Sequence, residues 1–144
     1  MKVVLFPYDH SAPAQRALQY LINFSKTHQA LEVHVLNVQG ELRLHGRNNP
    51  LVAEVQQQIE AHARAHAEEI TDQAMQALKD AGITCTRHAH VGEVLPEINR
   101  TLKAFGCDTV VMGTRGMGGL GNLLLGSVAT QVIHGVDVPV LLVK

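Results

Sequence analysis

The stretch Thr109-Val-Val-Met-Gly-Thr-Arg-Gly-Met-Gly-Gly-Leu-Gly-Asn-Leu-Leu-Leu-Gly-Ser127 decides how this chain is read. It opens on the apolar run Thr109 to Met112. It then passes through Gly113, Gly116, Gly118, Gly119, Gly121 and Gly126, and leads into an amphipathic segment, Ser127 to His134. Strand, glycine-rich loop and helix start is the arrangement that receives phosphate. Glycine lets backbone N–H groups come close to an anion, and a helix N-terminus adds unpaired donors and the positive end of its dipole.

Working outward, the pattern repeats. Val3 to Phe6 is a short apolar run, as expected of a strand buried on both faces. Ser11 suits an N-cap with Pro13 in the first helical turn, and Ala14, Ala17, Leu18, Leu21 and Ile22 recur at helical spacing. A second strand is predicted over 31–38 and a loop over 39–50, followed by a long helix over 51–80. The apolar stripe of that helix reads Val52, Val55, Ile59, Ala63, Ile70, Ala74 and Ala77. A third, more polar strand over 83–91 belongs near an edge. A helix striped by Val94, Ile98, Leu102 and Phe105 stops at Gly106, and Val138 to Val143 is a fifth strand.

Alternating strands and helices predict one α/β domain over 1–144, a three-layer sandwich of five parallel strands with helices on both faces. Ligands bind such sheets beyond the carboxyl ends of the strands, where strand order reverses. Asp9 follows the first strand and Gly113 ends the fourth. For both to serve one ligand, strands one and four must be neighbours, which the order 3-2-1-4-5 achieves.

Composition narrows the partners. With a formal net charge of -1, no bulk attraction to DNA or an anionic membrane is expected; with 3% aromatics, neither is a base-stacking platform. Cys85 and Cys107 form no Cys-x-x-Cys pair and read as reduced thiols. The N-terminus carries no signal-peptide pattern, and no apolar run approaches the roughly 20 residues of a membrane span. A soluble, cytoplasmic protein is the expectation.

Several templates overlap in the glycine loop. Gly116-Met-Gly-Gly-Leu-Gly121 satisfies G-x-G-x-x-G, but a dinucleotide site needs that motif after the first strand, with an acidic residue about 20 positions later near a strand end. Asp137 instead precedes the last strand. A P-loop would need a Lys before its Ser, and none is present at Gly126-Ser127, so fast phosphoryl transfer is not expected.

Gly113, two residues, Gly116, nine residues, then Gly126-Ser127 is a complete G-x2-G-x9-G-(S/T) pattern. It resembles the signature of the nucleotide-binding universal stress proteins. Leu5-Phe-Pro-Tyr-Asp-His-Ser11, Val33 to Val38, His90-Val-Gly92, Leu123 to Val128 and Val138 to Val143 resemble further segments of that family. The likeness covers most of the chain outside 39–80. It implies an ATP and Mg²⁺ site in which Gly113, Gly116, Gly126 and the Ser127 hydroxyl meet phosphate. Asp9 would lie near the ribose and the metal, and Pro7 and Val38 would border adenine. Tyr8, Met112, Arg115 and Val128 complete the implied site. The resemblance also implies a homodimer through the last strand and a regulatory role in stress response, with slow ATP hydrolysis or autophosphorylation as the enzymatic alternative. Val94 stands where the family often has proline and Asn37 where it often has histidine.

Two features need their own reading. Val138 to Val143, almost wholly apolar at a sheet edge, is an aggregation hazard unless paired with a second copy. Among the nine histidines, His62 and His66 are spaced i, i+4, and His88 and His90 i, i+2. Either spacing suits a metal, but neither pair has a third ligand nearby in sequence, so partly buried or surface histidines are the reading.

Overall fold

Two short, largely buried runs, Val3–Pro7 (β1) and Thr109–Gly113 (β4), lie side by side within a sheet. The computed structural model describes residues 1–28, 30–46, 48–114 and 125–144. Its remaining elements are α1 (Ala12–Ser25), β2 (Glu32–Gln39), α2 (Pro50–Asp80), β3 (Thr84–Val91), α3 (Val94–Phe105), α4 (Ser127–Gly135) and β5 (Val140–Val143). All four strand pairs are parallel and the order is β3-β2-β1-β4-β5, as the placement of Asp9 and Gly113 required.

Side chains alternate across the sheet. Val4, Phe6, Val33, Val35 and Val111 face α1 and α2, where they pack with Ala17, Leu21, Ala74 and Leu78. Leu5, Leu36, Val110 and Met112 face the other way, against Ile98, Leu102, Ala129 and Val132 of α3 and α4. Each such fully buried Val, Leu or Ile side chain contributes about 1.5–3 kcal/mol relative to exposure.

Two details depart from the sequence pattern. β5 begins at Val140 rather than Val138, because Pro139 has no N–H to donate; its carbonyl still accepts from Val110. On α2, only the C-terminal half follows the sheet. A helix of 31 residues is about 46 Å long, whereas a strand of eight spans about 26 Å. Ala67, Thr71, Ala74, Met75 and Leu78 are buried, while Val55, placed in the apolar stripe by spacing, is 46% exposed. The next residue, Gln56, is buried instead. Its side-chain amide accepts from Leu44 N–H and donates to the Leu42 carbonyl, so the 40–46 segment folds back onto the helix.

Candidate functional site

The turn from β1 into α1 is held by short-range bonds. Asp9 Oδ1 accepts from the Ser11 N–H at 3.0 Å, and Ser11 Oγ caps α1 by accepting from Ala14 N–H at 3.3 Å. Between them, His10 sits in the left-handed region at φ 64°, with its carbonyl bound by the Gln15 amide. Ser11, not Asp9, is therefore the N-cap. Asp9 is half-buried at the carboxyl end of the sheet.

β4 ends directly beneath this turn. A Cβ on Gly113 would come within 2.7 Å of Pro13 C, Pro13 Cβ and Ala14 N, so only glycine lets the first turn of α1 seat on the strand. The resemblance implies phosphate contact at Gly113; the packing requires glycine there whatever binds. Beyond it, Thr114 N–H donates to the Val143 carbonyl, and the Thr114 carbonyl accepts from Gly126 N–H at 2.8 Å. The two ends of the glycine-rich stretch are thus tied together beside the last residues of β5. Arg115 and Gly116 lie outside the described residues.

Gly126 precedes α4 as its N-cap and supplies no side chain to satisfy the first N–H groups of the helix. Ser127 is exposed at that end, and Val128 packs into the core between the sheet and α3 and α4. Strand alternation puts Pro7, Val38 and Met112 on this same face, at the ends of three adjacent strands. Tyr8 points to the opposite face. Its ring is 2% exposed among Phe6 and α1, and its hydroxyl lies 3.3 Å from both Gln73 Oε1 and His10 Nδ1. Burial, then the Asp9 carboxylate, raises the Tyr8 pKa.

Asn37, noted in the sequence only as a departure, is buried, and its Nδ2 donates to the Tyr8 carbonyl at 2.8 Å. It therefore ties the end of β2 to the β1 turn. His34 went unflagged in the sequence because it sits inside an apolar strand. It is 3% exposed, and its Nδ1 lies 2.8 Å from Nε2 of the buried His88. A Glu32 carboxylate at Oε1, 3.2 Å from His34 Nε2, accepts a hydrogen bond, so the tautomer of His34 with its proton on Nε2 presents Nδ1 as acceptor to His88 Nε2–H. Phe105 covers both rings at 4.7 and 4.5 Å between centroids. Burial, then the neighbouring His34 and His90, lowers the His88 pKa to about 4. His90, in register with Val38, bonds Glu97 at 2.7 Å, and Glu97 also pairs with Arg100.

The thiols are poor nucleophiles: burial raises Cys85 and pushes Cys107 up to about 11. His62 and His66, read from the sequence as partly buried or surface histidines, are both exposed on α2. Among the described residues, no helix is long and apolar enough to cross a membrane.

Comparison with known proteins agrees with this architecture. The pattern of the universal stress protein family matches residues 1–144. The universal stress protein MJ0577 of Methanocaldococcus jannaschii is 30% identical over 154 residues, covering 99% of this chain and 94% of its own. The solved structure of MJ0577 superposes with a TM-score of 0.86 at 32% identity, covering 99% of this chain and 95% of that one. Two structures share the fold at lower identity. A universal stress protein family protein of Arabidopsis thaliana with AMP bound has a TM-score of 0.65 at 18% identity, covering 100% and 92%. The universal stress protein of Archaeoglobus fulgidus in complex with dAMP has a TM-score of 0.61 at 22%, covering 100% and 98%. The complete glycine signature, the strand order and the match along the whole length agree: this chain belongs to the universal stress protein family.

Proposed function

We propose that the chain binds ATP with Mg²⁺ in the crevice between the ends of β1 and β4, and acts as a nucleotide-dependent regulatory module in stress response. The observation that carries this reading is the seating of α1 on Gly113, which brings the turn that holds Asp9 to the end of β4, where Thr114 bonds Gly126 at the uncapped start of α4. This is where strand order reverses, since the chain leaves β1 for β2 on one side and returns to β4 on the other. The AMP and dAMP bound to the two fold relatives support a nucleotide as the ligand class.

In this reading, backbone groups at Gly113, Gly116 and Gly126, the Ser127 hydroxyl and Arg115 receive the phosphates. Pro7, Val38 and Met112 border the base. Strands lie about 4.8 Å apart, so Val38 stands two strands, roughly 10 Å, from β4, which suits the span from phosphate to base. Asp9 is a hard oxygen donor of the kind Mg²⁺ prefers, and the ion would neutralise phosphate charge. Among the described residues no three His, Cys, Asp or Glu side chains form a metal cluster, so phosphate oxygens and water would complete the shell. Few cations and no P-loop lysine favour holding the nucleotide over rapid turnover.

The β5 edge supports a homodimer. All four residues of β5 are only half-buried. Its Pro139 and Val143 carbonyls turn toward β4, so alternation leaves the N–H and C=O groups of Val140 and Leu142 facing outward for antiparallel pairing.

Calorimetry with ATP and Mg²⁺ tests the central reading. Micromolar binding is expected, weakened at least tenfold by Gly116→Val and made independent of Mg²⁺ by Asp9→Ala. A folded protein that takes up no ATP, or a Gly116→Val variant that binds unchanged, refutes it.

A further inference from the structure

His62 and His66 lie outside the proposed nucleotide crevice, on the half of α2 that runs past the sheet. Both line one surface cavity of about 530 Å³, together with Gln39, Val55, Gln58 and Ile59. Residues four apart on a helix have Cβ atoms roughly 5–6 Å apart, stacked on one face, so the two imidazoles can close on a single ion without moving the backbone. His62 makes no hydrogen bond or ion pair among the described residues. His66 approaches only Glu69, with 3.8 Å between Nδ1 and Oε2, which leaves its Nε2 for a ligand. A carboxylate on the far nitrogen of a histidine is the usual outer partner of a metal-binding imidazole, fixing its tautomer and raising its basicity. Gln58, one turn before His62, continues the row with an amide oxygen. The apolar remainder of the cavity, Val55 and Ile59, offers no competing charge.

We propose that His62 and His66 form a two-imidazole chelate for a divalent late transition-metal ion, with Cu²⁺ bound more tightly than Ni²⁺ or Zn²⁺. Imidazole nitrogen suits these borderline ions, and the preference follows their general order of affinity. Water and the Gln58 amide would fill the remaining positions. Mg²⁺, which takes oxygen ligands, is not a competitor here. The inference is independent of the nucleotide reading.

The test is titration of the nucleotide-free full chain with Cu²⁺, followed by calorimetry and by electron paramagnetic resonance. The first equivalent is expected to carry the nitrogen hyperfine pattern of two imidazoles. His62→Ala and His66→Ala should each weaken it at least tenfold, because either change leaves one ligand. Both residues are exposed, so circular dichroism should stay unchanged. Pairing His66→Ala with Gln58→His, which rebuilds the i, i+4 spacing one turn earlier, should restore the affinity. A first equivalent unaffected by either alanine, or a relocated pair that fails to rescue, overturns the proposal.

Discussion

Lowering the pH should destabilise this protein through His88. In the folded chain its pKa is about 4, against an ordinary 6.5, because burial disfavours the charged ring and His34 and His90 add to the effect. Between these values the unfolded chain carries a proton on His88 that the folded chain refuses. The unfolded state therefore binds more protons, and stability falls as the pH drops. Above pH 6.5 this contribution is fully present. Below that it declines at up to 1.36 kcal/mol per pH unit, and by the time pH reaches about 4 some 3 kcal/mol are lost. Glu32, His34, His90, Glu97 and Arg100 lie around the two buried rings, so the His88 contribution is read as a difference between variants. His88→Gln keeps a donor for His34 Nδ1 without a titrating group. Urea denaturation from pH 4 to 8 should give a variant whose stability is flatter than that of the parent by about 3 kcal/mol across the window. Parallel pH profiles for the two proteins would refute the reasoning.

Three further outcomes follow from local contacts. Gly113→Ala forces a methyl against the backbone of Pro13 and Ala14, which cannot yield cheaply, and should destabilise the protein by about 1–3 kcal/mol in urea titration. Gly135→Ala is the control. Its nearest atoms belong to the flexible end of Leu95, and alanine gains up to about 1 kcal/mol of helix propensity, so little net change is expected. Ser11→Ala removes the α1 cap and should cost about 1 kcal/mol by the same measurement.

Much of this architecture is legible in the sequence because its signals are local and agree. The glycine spacing, the apolar runs of β1 and β4 and the capping Ser11 each point to the same fold, and the need to join Asp9 to Gly113 fixes the strand order. What escapes is set by distant contacts. The apolar pattern of α2 continues beyond the end of the sheet, so periodicity marks Val55 as buried where there is nothing to cover it. Gln56 is covered by a loop whose path no pattern announces. His34 reads as an interruption of a strand, since its partner His88 lies far along the chain and only the β2–β3 register brings them together. Tyr8 follows the same logic. Its place in the implied site comes from the resemblance, whereas the direction of its ring, toward α1, is set by the pleat of the sheet.

The position of β1 has a consequence for how the chain is made. β1, β2 and β3 are complete once residue 91 has been synthesised, and they can pair at once. The other side of β1 must wait for β4, which ends only at Gly113, and for β5 after it. During that interval an apolar strand destined for the core presents an open edge, the kind of template that invites pairing with another nascent chain. Asp108 arrives just before β4 and accepts from the Lys2 and Val3 N–H groups, at 2.7 and 3.2 Å. The residue that leads into the incoming strand is thus bound to the start of the waiting one, a contact that fixes the register of the two.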